Sequence, residues 1–267
     1  MKNDADHIVV VGMSRTPIGA FLGTLKEISA PELGSFAIRA ALKQSNVPKE
    51  DIDEVLMGCV LSAGIGQAPA RQASLIAGIP ESTGCTTINK MCGSGMKAVM
   101  MAHDLLLARS KSVIIAGGFE SMSNTPYILP KARSGQRLGH GQMIDHMFID
   151  GLEDAYEKGT LMGVFAERTA KKYGLTRNLQ DEFAIRSLNR AKKAIEDGSF
   201  KNEITPVNYI SRGETIKVSN DEQPLILDLA KISKLKPAFE KNGTVTAANS
   251  SSISDGAAAL VMMRETH

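Results

Sequence analysis

The chain has 267 residues, 43% hydrophobic and 22% charged, which is ample for a large core in one big domain or in one domain carrying an insertion. Its formal net charge of +2 excludes bulk attraction to nucleic acid or to a membrane surface. The three cysteines, Cys59, Cys85 and Cys92, suit no zinc spacing, and no apolar run reaches the roughly 18 residues that span a bilayer. The start "MKNDADH" lacks a signal-peptide pattern, so the expectation is a soluble cytoplasmic protein with reduced thiols.

Residues 7–12 form a short apolar run closed by Gly12 and read as a buried strand. Leu33, Phe36, Ala37, Ala40 and Ala41 recur at helical spacing, so residues 31–44 read as an amphipathic helix with Pro31 in its first turn. Residues 54–61 are the next strand, and a helix follows that stops near Gly78 and Pro80. Residues 86–89 are a β-branched strand, the following helix runs to about Arg109, and residues 112–118 are another buried strand. From residue 121 the text becomes richer in loops, charge and Pro, with helices near 165–172 and 180–196. Residues 255–263 return to strand-like sequence. The fold class is therefore α/β: a mostly parallel mixed sheet covered by helices, with an inserted helical and loop lobe. The expected division is 1–120 with 244–267 for the sheet domain and 121–243 for the lobe.

Cys92 stands between a strand and a helix and is followed by Gly-Ser-Gly. At a helix start, the dipole and the free N–H groups favour a thiolate, the reactive form. Gly93 and Gly95 remove side chains beside the sulfur, and backbone amides there could hold an oxyanion. This suits acyl transfer through a covalent thioester. A buried core cysteine would show the same spacing, so position alone leaves both roles open.

The stretch "NKMCGSGMKAV" (89–99) resembles the acyl-enzyme motif of the thiolase family. "RTPIGAFLG" (15–23), "GGFESMSNTPY" (117–127), "LMG" (161–163) and "NGTVTAANSSSISDGAAAL" (242–260) resemble thiolase segments in the expected order. Within the family the likeness is to acetyl-CoA acetyltransferases, with support from residues 139–156. The resemblance implies a Claisen condensation of two acetyl-CoA to acetoacetyl-CoA and CoA, or the reverse thiolysis. Cys92 would be the acyl-thioester nucleophile, with its N–H in one oxyanion hole. It implies that Ser251 contacts the pantetheine amide, that Met162 and Phe239 line the pantetheine tunnel, and that Leu152 belongs to the CoA-facing lobe. Ser251 would equally suit a helix cap, and the three apolar residues would suit ordinary core. No metal and no cofactor other than the CoA thioester substrate is implied. The expected partners are acetyl-CoA or CoA and further copies of the chain, with dimers or tetramers in the full-length family; neither nucleic acid nor membrane is expected.

Other thiolase groups are missing. None of His7, His103, His140, His146 and His267 precedes Pro, no cysteine follows Cys92, and there is no Asn-Glu-Ala sequence. The resemblance assigns the base, the proton-shuttling cysteine and the water-anchoring asparagine to a C-terminal half. The expectation is an N-terminal half that is inactive alone, or a non-catalytic CoA-binding or assembly half. Two local departures stand out. Leu161 replaces a common His, and "DEQPLIL" (221–227) lacks the basic residue common along the CoA nucleotide, for which Lys231 or Lys234 could substitute.

Overall fold

The alternation of apolar runs and amphipathic segments builds a sheet covered on both faces in the computed structural model, which describes residues 6–267. The first residues of the "MKNDADH" stretch lie outside those described. In chain order the elements are β1 (Ile8–Arg15), β2 (Gly19–Ala20), α1 (Ala30–Ser45), β3 (Glu54–Gly58), α2 (Pro69–Ala77), β4 (Gly84–Ile88), α3 (Ser94–Leu107) and β5 (Val113–Ser121). Then come β6 (Tyr127–Ile128), β7 (Ile144–Asp145), a π-helical turn (Phe148–Leu152), α4 (Met162–Tyr173), α5 (Arg177–Glu196), β8 (Val207–Ser211) and β9 (Glu214–Val218). Two one-turn helices, α6 (Gln223–Ile226) and α7 (Leu229–Ile232), precede β10 (Ser254–Arg264).

These elements form two compact units. The first holds the residues up to Asn124, Phe200–Asn220 and Ser254–His267; the second holds Thr125–Ser199 and Asp221–Ile253.

In the first unit the sheet order is β1-β10-β5-β3-β4, with β2 beside β10. β3 pairs in parallel with β4 and β5, while β10 runs antiparallel to β1, β2 and β5. Period-two alternation sends Val55 and Met57 into one core with Leu33, Ala37 and Ile38 of α1. It sends Leu56, Ile114 and Ala116 to the other face, against Ala98, Ala102 and Leu106 of α3. α1 starts where Ser29 and Glu32 cap each other reciprocally.

The hairpin β8–β9 differs from the sequence-based division, which placed it in the lobe. Val207 and Val218 are buried in the α1-side core, and Thr205 N–H bonds to Arg15 O at 2.8 Å. Arg15 also pairs with Glu203 at 2.7 Å. Apolar burial and backbone pairing thus hold residues 200–220 in the sheet unit. At the other boundary, residues 244–253 fall in the second unit.

In the second unit α4 ends at Gly174, whose left-handed backbone closes the last turn. α5 starts at Thr176, whose hydroxyl accepts the Leu179 N–H. Among the described residues no helix is long and apolar enough to cross a membrane.

Candidate active site

Cys92 is exposed and lies immediately before Gly93, the N-cap of α3. Three residues shape the turn that presents it. The Asn89 carboxamide oxygen accepts the Met91 N–H at 3.0 Å, an Asx turn at the end of β4. Met91 then adopts φ +48, a left-handed conformation uncommon for a non-glycine residue. The Ser94 hydroxyl accepts the Lys90 N–H at 2.9 Å and donates to the Met91 carbonyl. Gly93 and Ser94 N–H groups are used inside the same turn, on Lys90 O and Met91 O. The thiol thus projects from a fastened strand-to-helix corner.

Gly58 explains how that corner reaches the sheet. A Cβ on Gly58 would lie 2.7 Å from the Ser94 backbone, so only a bare residue at the end of β3 lets α3 start so close.

Cys92 opens on a recess of about 310 Å³ within the first unit. Its walls include Gly58, Cys59, Val60, Gly118, Glu120 and Ala257. The Glu120 carboxylate accepts the Val60 N–H at 2.9 Å and the Leu61 N–H at 3.1 Å. It also accepts the Cys59 thiol at 3.5 Å. Cys59 is only 2% exposed. Burial pushes its thiol far above the ordinary cysteine value, and the Glu120 charge and hydrogen bond push it further. The two thiols on this recess are therefore unlike: one open at a helix start, one buried and held protonated. Cys85, half-buried on β4, is free.

The remaining sequence-derived residues belong to the second unit. Met162 opens α4 and is 43% exposed. Phe239 is half-buried, and its ring occupies the space where a Cβ of Gly163 would sit. Met162 and Phe239 thus flank the same first turn of α4. Leu152 ends the π-helical turn; its neighbour Glu153 bridges to Leu161, the residue before Met162. Ser251 is exposed in the coil that leads into a strand, so no helix follows for it to cap.

The loop before Ser251 is tied to α4 and α5. Glu167, 6% exposed, accepts the Thr244 N–H at 2.8 Å, the Val245 N–H at 2.7 Å and the Thr244 hydroxyl at 2.9 Å. Burial pushes the Glu167 carboxyl up, but those hydrogen bonds outweigh it and hold the group below the ordinary glutamate value. Asn249 accepts the Thr246 N–H at 2.7 Å and donates to Asp181 at 3.0 Å. Asp181 in turn pairs with Arg177 at 2.7 Å. His146, buried, bonds Asp150 at 2.6 Å and orders its own turn, while His140 is exposed. Lys231 pairs with Asp228 at 3.5 Å, Lys234 is exposed, and α6 exposes Leu225 and Ile226.

The family described as "Thiolase, N-terminal domain" matches residues 8–266. The chain belongs to the thiolase family. It is 48% identical to an acetyl-CoA acetyltransferase of Cupriavidus necator, over 96% of this chain and 65% of that protein. It is 50% identical to the human mitochondrial acetyl-CoA acetyltransferase, over 98% of this chain and 61% of that protein. For the Escherichia coli K12 acetyl-CoA acetyltransferase the identity is 49%, over 100% of this chain and 67% of that protein. This thiolase chain therefore spans about three fifths to two thirds of these relatives' lengths.

Sequence reasoning missed Asn89, Ser94, Glu120 and Glu167. An Asx-turn reading of Asn89 was available two residues before Met91. Glu120 and Glu167 gave no signal, because their partners lie 59 or more residues away in the chain.

Proposed function

We propose that this chain carries the acyl-transfer step of an acetyl-CoA acetyltransferase. The Cys92 sulfur, as thiolate, attacks the carbonyl carbon of acetyl-CoA. A tetrahedral oxyanion forms, the C–S bond to CoA breaks, and CoA thiolate leaves acetyl-Cys92 behind. The Cys92 amide is one oxyanion donor. A second acetyl-CoA loses an α-proton to a base, and its carbanion attacks the acetyl carbonyl carbon; the new C–C bond forms, the bond to the Cys92 sulfur breaks, and acetoacetyl-CoA and the Cys92 thiolate result, with thiolysis as the reverse. Met162, Phe239, Leu152 and Ser251 receive the pantetheine arm. The observation that carries this reading is the exposed thiol at the start of α3, opening on a recess next to bare backbone.

Full turnover depends on groups beyond these residues: a base and a proton-shuttling cysteine supplied by a C-terminal thiolase half. The exposed side of α3 supports such docking, since Met96 is 73%, Met100 52% and Leu107 55% exposed. The working form is a homo-oligomer in the cytoplasm.

The test is to mix the chain with acetyl-CoA and follow CoA and acetoacetyl-CoA by chromatography. The expected result is release of one CoA per chain without sustained acetoacetyl-CoA. No CoA release would remove the acyl-transfer step, and sustained condensation would remove the dependence on a C-terminal half.

A further inference from the structure

We propose that Glu167 is a positioning residue that sets the shape of the surface receiving the pantetheine arm; this rests on the reading that Met162, Phe239 and Ser251 face a CoA thioester. A carboxylate buried in a helix is costly, and an apolar side chain would fill its volume at lower cost. What the carboxylate supplies is direction: its bonds all run to Thr244 and Val245. The Val245 carbonyl accepts the Ala238 N–H at 2.9 Å, so the same pair of residues carries Phe239. The Phe239 ring returns to α4 against Gly163, between Met162 and the Glu167 turn. The contacts close into a circuit: α4, Glu167, Thr244 and Val245, Ala238 and Phe239, and α4 again. From Val245 the chain continues through Thr246, held by Asn249, and Ser250, whose hydroxyl donates to Thr246 O at 2.8 Å, to Ser251. Gln180 adds a second hold, donating to the Thr244 hydroxyl at 2.8 Å. Glu167 touches no substrate; it acts through the residues that do.

The test uses the 267-residue chain, with desulfo-CoA as a probe that cannot form a thioester. Calorimetry compares wild type, Glu167→Gln and Thr244→Val, and amide exchange by mass spectrometry reports residues 238–251. The expected result is affinity weaker by about tenfold in E167Q and about threefold in T244V. Exchange should quicken at 238–251 alone, with Cys92 alkylation by iodoacetamide unchanged. Should E167Q not fold, T244V decides. Unchanged affinity in the variants that fold, even with faster exchange, overturns the positioning role. If the wild type binds no desulfo-CoA, the CoA reading itself falls. The circuit is then judged on exchange alone, and unchanged exchange at 238–251 overturns it too.

Discussion

The Ser94 hydroxyl accepts the Lys90 N–H at 2.9 Å and so closes the turn on which Cys92 stands. It is buried, and it also donates to Met91, whose left-handed backbone sets the direction of the next residue. Ser94→Ala removes both bonds and lets Met91 relax. The expected cost in stability is about 1–2 kcal/mol, read by urea denaturation. Acetylation of Cys92 should slow by about tenfold, because a reacting atom has been misplaced.

Gly58 is the other support of that corner. In Gly58→Ala the new methyl meets the Ser94 backbone rather than a flexible side chain. The first turn of α3 must move off the sheet, at a cost of about 1–3 kcal/mol. Thermal denaturation should show the loss, and Cys92 acetylation should fall with it, while a conservative change on the far end of α3 leaves acetylation alone.

The two thiols of the recess should behave differently. Near neutral pH iodoacetamide should label Cys92 in the folded chain and reach Cys59 only after denaturation, as read by peptide mass mapping. The folded chain keeps the Cys59 proton where the unfolded chain has lost it, so the contribution is complete below the unfolded cysteine value and is lost as pH rises above it. Above about pH 9 stability should fall by up to ~1.4 kcal/mol per pH unit from this group, and Cys59→Ala should flatten that slope.

Glu167 has the opposite sign. Its folded value is depressed, so its contribution is present above the ordinary glutamate value of about 4.3 and is lost as pH falls through the folded value. Amide exchange at Thr244 and Val245 should accelerate in that acid window, corrected for intrinsic rate, and E167Q should show no such step.

Much of this was readable in the residues. The apolar run of Val55, Leu56 and Met57 and the helical spacing of Leu33, Ala37 and Ala41 announce their elements, because local pattern and burial agree. The place of Cys92 between a strand and a helix start was readable from its flanking glycines. The hairpin β8–β9 was missed although Arg212 and Gly213, both at positive φ, make the tight turn that Arg-Gly permits. Its membership of the sheet unit rests on Arg15, Glu203 and the burial of Val207, which are long-range facts. Glu120 and Glu167 were silent for the same reason: a carboxylate shows its partners only when distant backbone amides are folded onto it.

The most direct measurement is the intact mass of the chain after incubation with acetyl-CoA, for wild type and for Cys92→Ser. Wild type should gain one acetyl group, labile to hydroxylamine as a thioester is, and the variant should gain none. An acetyl adduct of equal yield in Cys92→Ser, or an unmodified wild type under conditions where iodoacetamide labels Cys92, would contradict the assignment.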